Sequence, residues 1–239
     1  MEALMNVIGN VNSFSWGGIM IFFLVGTGFV LTVGTRVVQF RKMRYAFKLL
    51  FTKTDSQDGD ITPFQALMTS LAATIGTGNI AGVAGAIAAG GPGAVFWMWV
   101  TAAVGGATKF GEGYLALKYR ITNEKGEKSG GPMYYIKYGM QEVYGGSWGW
   151  LGWLFAFFAT VAAFGIGNMV QSNSVAQSVQ SSIGLSPYIT GAVIAIATGA
   201  VILGGIKSIG KVTEKIVPIM AVIYVLGALV IIFKILPMI

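Results

Sequence analysis

The chain contains no cysteine and no histidine. Without thiols there is no disulfide framework and no thiolate metal site, and without imidazole the commonest proton shuttle, general base and metal ligand is missing. Its serine hydroxyls therefore lack their usual activating base, which speaks against an intramembrane hydrolase. Charge is also scarce. Asp, Glu, Lys and Arg make up 10% of the 239 residues, against about a quarter in ordinary soluble domains. None of the nine acidic residues falls in the middle of an apolar stretch, so proton coupling has no obvious carrier. What the chain does have is apolar surface and glycine. It is 54% hydrophobic with 35 Gly, and its mean hydropathy is +0.70. That is the composition of an integral membrane protein, and the sequence predicts an all-α polytopic one.

Apolar stretches of about 20 residues, enough to span a bilayer, run over 14–35, 64–89, 93–117, 148–172, 186–206 and 215–236. Residues 1–239 thus read as one transmembrane domain. Fifteen of the sixteen Lys and Arg residues fall in alternate connections. Arg36, Arg41, Lys42, Arg44, Lys48 and Lys53 follow the first stretch. Lys109, Lys118, Arg120, Lys125, Lys128 and Lys137 surround the link from third to fourth, and Lys207, Lys211 and Lys215 the turn from fifth to sixth. The intervening links, 90–93 and 181–187, carry none. The positive-inside rule then puts the basic loops in the cytoplasm and both ends of the segment outside. A net charge of +7 distributed in this way reports membrane topology, not a nucleic-acid partner. The first stretch reads as a span and not a signal peptide, because its basic flank is C-terminal and its N-terminal flank is Met1-Glu2.

Two connections have patterns of their own. Residues 38–51 space Phe40, Met43, Phe47 and Leu50 at helical intervals between basic residues, which suits a helix along the headgroups or a short one packed on the bundle. Residues 129–138 join a Gly-Gly-Pro turn to a Tyr-rich run suited to an interfacial anchor. The polar run 52–60 reads as a solvated loop, with Thr62-Pro63 starting the next helix.

Residues 72–79, Ala-Ala-Thr-Ile-Gly-Thr-Gly-Asn, interrupt the second apolar stretch with helix-weakening residues. A broken helix is predicted there. In hydrocarbon, backbone freed by a break must be buried in protein or meet a ligand, and discontinuous helices hold substrates and ions at mid-membrane. Gly76, Thr77, Gly78 and Asn79 put hydroxyl and amide oxygens beside paired glycines, donors of the kind a hard cation takes. Gly82 and Gly85 read as packing positions, with Gly78 and Gly82 forming a small-xxx-small step. In the fourth stretch, Gly165, Asn168, Gln171, Ser172 and Val175 share one face of a predicted helix. Most of these polar groups read as ties between helices; Gln171, the longest amide on that face, is the candidate for ligand contact. Lys109 and Glu112, three apart, read as a structural pair.

Residues 69–87, Thr-Ser-Leu-Ala-Ala-Thr-Ile-Gly-Thr-Gly-Asn-Ile-Ala-Gly-Val-Ala-Gly-Ala-Ile, together with Gly-Gly-Pro-Gly-Ala-Val-Phe-Trp-Met-Trp at 90–99, resemble the alanine or glycine:cation symporter family. Lys-Phe-Gly-Glu at 109–112 and Gly-Gly-Pro-Met-Tyr-Tyr-Ile at 130–136 carry the same resemblance, which extends over essentially the whole chain. It implies a sodium:alanine-type symporter in a prokaryotic plasma membrane, with the APC-superfamily or LeuT-like fold of two inverted five-helix repeats. These residues correspond to an extra N-terminal helix (14–35) and the first repeat (64–236) with its broken first helix. The second repeat is absent from the sequence, and a second half of the transporter is expected to complete the site.

The resemblance further implies site roles. Backbone carbonyls of Ala72, Ala73 and Ile75 would face Na⁺, and Thr74, Thr77 and Gly78 would meet the substrate carboxylate through the unwound backbone. Asn79 would serve either the sodium or the substrate, and Gln171 would approach the substrate's amino or carboxylate end. The ligands implied are a small neutral amino acid, alanine or glycine, and sodium as coupling ion, with no catalytic residue and no other cofactor. The alternatives are a non-transporting fragment or structural membrane subunit and, less well supported by a single asymmetric break, a cation channel.

Overall fold

Glycines, prolines and capping side chains punctuate the chain into helices. The computed structural model describes residues 2–52, 59–124, 126–165 and 167–235. Most of the polar loop 52–60, Lys53, Lys125 and the end of the sixth apolar stretch at residue 236 lie outside the described residues. In chain order come α1 (Glu2–Ser15), α2 (Gly18–Gly34), α3 (Val38–Arg41), α4 (Met43–Leu50) and α5 (Pro63–Thr74). A wide π-type turn, Gly78–Gly82, then leads into α6 (Val83–Gly90), followed by α7 (Gly93–Lys118). A hairpin of β1 (Ile121–Thr122) and β2 (Lys128–Ser129) precedes α8 (Pro132–Tyr134), a second π-type turn (Tyr135–Gly139) and α9 (Met140–Tyr144). The chain continues through α10 (Gly149–Ala163), α11 (Met169–Ile183), α12 (Pro187–Ile202) and α13 (Gly205–Ile235).

Apart from that hairpin the described elements are helical, as expected of an all-α membrane protein. Met5–Gly34 and Gly205–Ile235 are long and apolar enough to cross a bilayer, and Pro63–Thr74 with Gly78–Gly90 forms a third such element, bent by 56° at its break. Large apolar side chains stay exposed along the long helices, as at Phe22 (72%), Val30 (67%) and Phe233 (68%). Such surface would drive aggregation in water and suits contact with hydrocarbon or with other membrane helices.

Two segments differ from the sequence reading. The stretch 148–172 is two helices, not one: α10 ends at Ala163, Gly167 takes φ +87°, and Asn168 caps α11 by accepting from the Met169 N–H at 2.7 Å. Gly165 therefore does not share a helix face with Gln171, Ser172 and Val175, whereas Asn168, in αR geometry with its carbonyl accepting from the Ser172 N–H at 2.9 Å, starts that helix in register with them. The basic turn after the fifth stretch is likewise helical. The chain reverses earlier, at Leu203 and Gly204, with Gly205 at φ +67°, and Lys207, Lys211 and Lys215 lie four apart along the first turns of α13.

Contacts divide the chain into two units, residues 1–48 with 84–156 and residues 49–83 with 157–239. In the first, α2 lies against α7. A Cβ at Gly28 would stand 3.1 Å from the Val104 carbonyl oxygen, so the two backbones nearly touch. The Gln39 amide donates to Thr32 Oγ1 at 3.1 Å and to the Ala103 carbonyl at 3.2 Å, and Ala107 is fully buried. In the second, α5 packs along α13. Thr62 and Gln65 form a reciprocal capping box ahead of Pro63, Met68 and Val217 are buried, and the Thr69 and Thr213 hydroxyls meet at 3.1 Å. A hydrogen bond of this kind between membrane helices contributes about 0.6 kcal/mol. Also in this unit, α11 and α12 form a helical hairpin, turned by Gly184 at φ +72° and restarted by Pro187.

Candidate functional site

The break in the second apolar stretch follows from local chemistry. Helix α5 runs to Thr74, Ile75 turns to extended backbone (φ −86°, ψ +111°), and helical geometry resumes through Thr77 into Gly78. In an uninterrupted helix each N–H donates to the carbonyl four residues back. Here three donors point elsewhere. The Gly76 N–H donates to Asn79 Oδ1 at 2.9 Å, the Thr77 N–H to Gln171 Oε1 at 2.7 Å, and the Asn79 N–H to the Gly76 carbonyl at 3.0 Å. The carbonyls of Ala72, Ala73 and Ile75 are among the acceptors at the end of this half-helix that lose their helical donors.

The partner side chain arrives from far along the sequence. Gln171 sits in the first turn of α11, and its carboxamide rests on Gly76 so closely that a Cβ there would stand 2.6 Å from Nε2 and 2.8 Å from Oε1. Among the residues of the break, Gly76 is the one where the absent side chain makes this approach possible. Gly78 has no such neighbour: a Cβ there would meet nothing within 4 Å, and the same holds at Gly82 and Gly85. These glycines leave an open surface, and neither Gly76 nor Gly78 uses a positive φ.

The structure thus brings Gly76, Thr77, Asn79 and Gln171 into one hydrogen-bonded cluster, with Gly78 beside it. Thr74 turns its hydroxyl back onto its own helix, donating to the Ser70 carbonyl at 2.5 Å. Ala72, Ala73, Thr74, Ile75, Gly78 and Asn79 are exposed, whereas Gly76, Thr77 and Gln171 are half-buried. Asn168 stays with the backbone, its amide donating to the Ala163 carbonyl at 2.9 Å. Lys109 and Glu112 form an ion pair at 2.6 Å on α7.

The sequence reading missed the α13 wall. Met220, Ala221, Tyr224 and Val225 line a cleft of about 340 Å³ with Ile75, Gly76, Asn79 and Ile80. The available signal was Tyr224, a polar-tipped aromatic within the apolar run of α13. Among the described residues no three His, Cys, Asp or Glu side chains cluster as a metal cage, so a cation held at the break would rest on neutral oxygen donors.

A sequence model of the sodium:alanine symporter family matches residues 1–239. The sodium/alanine symporter AgcS of Methanococcus maripaludis is 57% identical over 228 residues, covering 95% of this chain and 50% of that protein. The putative sodium/proton-dependent alanine carrier protein YrbD of Bacillus subtilis is 40% identical over 225 residues, 94% of this chain and 45% of the relative. The probable sodium/glutamine symporter GlnT of Bacillus subtilis is 36% identical over 234 residues, 98% and 48%. The chain spans about half the length of the curated relatives it matches. All three are named as symporters or carriers, not as enzymes.

Proposed function

The chain belongs to the sodium:alanine symporter family, and on that premise we propose that it forms half of a sodium-coupled symporter for a small neutral amino acid, alanine or glycine. The observation that carries this reading is the redirected hydrogen bonding at the break. Two N–H groups at the start of the second half-helix point at amide oxygens, and three carbonyls at the end of the first half-helix have lost their donors. A helix N-terminus favours an anion and freed carbonyls favour a cation. The substrate carboxylate takes the Thr77 N–H now held by Gln171 Oε1, and the Gln171 carboxamide pivots to donate to the substrate. Thr74 and Gly78 border that position. Sodium rests on the carbonyls of Ala72, Ala73 and Ile75, with the Asn79 amide serving the ion or the substrate.

Bound sodium places positive charge beside the carboxylate, so each ligand raises the other's affinity by the same factor. Transport then proceeds by alternating access, with one helix bundle rocking against another around the break. The fold proposed is LeuT-like: α1 and α2 as the extra N-terminal element, α5 to α13 as the first repeat, and the second repeat supplied by the other half of the transporter. The protein resides in the plasma membrane as a multi-pass segment with its basic loops in the cytoplasm and its ends outside.

Uptake of labelled alanine into proteoliposomes carrying the complete transporter tests the coupling. Saturable uptake that requires an inward sodium gradient is expected; uptake unaffected by replacing sodium with choline would overturn it. A Gly93→Cys probe reacting with an impermeant reagent from outside checks the topology, and reaction only in inverted vesicles would reverse it.

A further inference from the structure

After Glu2 the chain carries no acidic residue until Asp55, yet Arg36, Arg41, Lys42, Arg44, Lys48 and Lys53 fall in this interval. Four of them lie along α3, α4 and the Lys42 that joins the two helices. The two short helices differ in how they are held. α3 is anchored on α7, with Val38 buried and the Gln39 amide on the Ala103 carbonyl. α4 buries none of its residues, and Met43, Tyr45 and Phe47 are 47%, 59% and 58% exposed.

At about 100° per residue, Met43 and Phe47 form one ridge of α4 and Arg44 and Lys48 the adjoining ridge. In α2, by contrast, Gly18–Gly34 carries no charged residue at all. A helix with an apolar ridge beside a basic one is suited to a surface that presents hydrocarbon and negative charge together. Lys42 Nζ lies 5.9 Å from the Tyr45 ring centroid, a cation and an aromatic of the kind that settles at headgroup depth.

From this we infer that α4 lies along an anionic lipid surface, with Met43 and Phe47 sunk to the acyl boundary and Arg41, Lys42, Arg44 and Lys48 against the headgroup phosphates. Charge complementarity selects this occupant. A protein covering the same face would have to bring acidic groups and bury two apolar side chains, whereas an anionic leaflet supplies both environments at the point where α2 ends. The helix then acts as an electrostatic anchor whose seating depends on lipid charge.

Because the chain has no cysteine, a single Phe47→Cys substitution in the full chain accepts one nitroxide. Its accessibility to oxygen and to a water-soluble nickel chelate is read in discs of phosphatidylcholine alone and in discs with an equal share of phosphatidylglycerol. In the anionic discs, access to the chelate should fall by at least about fivefold, the effect of roughly one well-placed basic residue, and raised ionic strength should reverse the fall. The R41Q/K42Q/R44Q/K48Q background should abolish the response. Equal chelate access in both lipids, a shift indifferent to salt, or a response that survives neutralisation would each overturn the inference. Shielding from both probes in both lipids would show protein covering this face instead.

Discussion

Gly28 and Gly76 each accept a close neighbour, and they teach opposite lessons about close approach. At Gly28 the neighbour is the Val104 backbone, 3.1 to 3.2 Å from where a Cβ would stand, with the Val104 Cβ at 3.3 Å. A backbone inside α7 cannot swing aside, so this seam is rigid. At Gly76 the neighbour is the Gln171 carboxamide at 2.6 to 3.0 Å, the far end of a flexible side chain. That contact can be exchanged for a ligand. One glycine closes a packed interface; the other keeps a polar contact replaceable, which is what a site must do.

The sharpest test of the open side of the break is Gly78→Val. With nothing within 4 Å of a Cβ there, the fold has room for the side chain while the proposed ligand position does not. Sodium-driven alanine uptake should be abolished with insertion and thermal unfolding in detergent unchanged. Normal substrate binding in the variant would remove the break from the site.

Gly28→Ala probes the seam. The added methyl meets backbone that cannot yield, and overpacking of this kind costs about 1–3 kcal/mol. Thermal unfolding should come earlier while the alanine affinity of the folded fraction stays at the wild-type value. A change in affinity with no loss of stability would erase the distinction between the two glycines.

The break side of this contrast was legible in the sequence, the Gly28 seam was not, and where the sequence was silent the reason is physical. The break at residues 72–79 was readable because Gly-Thr-Gly-Asn interrupts an apolar run, and hydropathy alone cannot explain those residues there. The division between α10 and α11 was not readable. Apolar residues continue up to Phe164, and Gly165, Asn168, Gln171 and Ser172 have the spacing of one helix although Gly167 and Asn168 end and restart it. Lysines at every fourth position near 207–215 looked like a basic turn but equally fit the helix they form. Gln171 was found by its length, yet its partner, the Thr77 N–H, is set by tertiary contact. Met220 and Tyr224 were hidden in a run that resembles any lipid-facing helix.

A smaller effect separates capping from ligand contact at the replaceable side. Gly76→Ala should displace the Gln171 carboxamide and lower alanine affinity about tenfold, equivalent to one charge-neutral hydrogen bond of about 1.4 kcal/mol. Gln171→Ala should match it and also unfold at lower temperature, since the Thr77 N–H loses its acceptor. Gln171→Glu keeps an oxygen for that N–H but removes the amide donor. Stability should recover and affinity should not; recovery of both would confine Gln171 to capping.

The smallest effect belongs again to the unit that contains the rigid seam, at its solvent side. Glu142 accepts from the Tyr119 hydroxyl at 2.6 Å and from Lys118 Nζ at 2.9 Å, and these two hydrogen bonds hold its carboxyl below the ordinary value of 4.5. Lys118 Nζ also donates to the Tyr119 hydroxyl at 2.9 Å, and its hydrogen bonds, first to Tyr119 and then to Glu142, raise the Lys118 ammonium above its ordinary 10.5. A lowered carboxyl contributes stability above its unfolded value and loses that contribution as pH falls through the lower folded value. A raised ammonium contributes below its unfolded value and loses it as pH rises through the higher folded one. The tie is therefore complete between about 4.5 and 10.5, and alanine affinity should not follow it across that window. Both side chains are exposed, so solvent and salt screen the interaction and the change in thermal unfolding should be slight. Glu142→Gln should remove the acid-side part of the pH dependence and leave transport intact. If transport instead followed the Glu142 titration, this triad would be coupled to the break, and the division between a rigid packing unit and a replaceable site would fail.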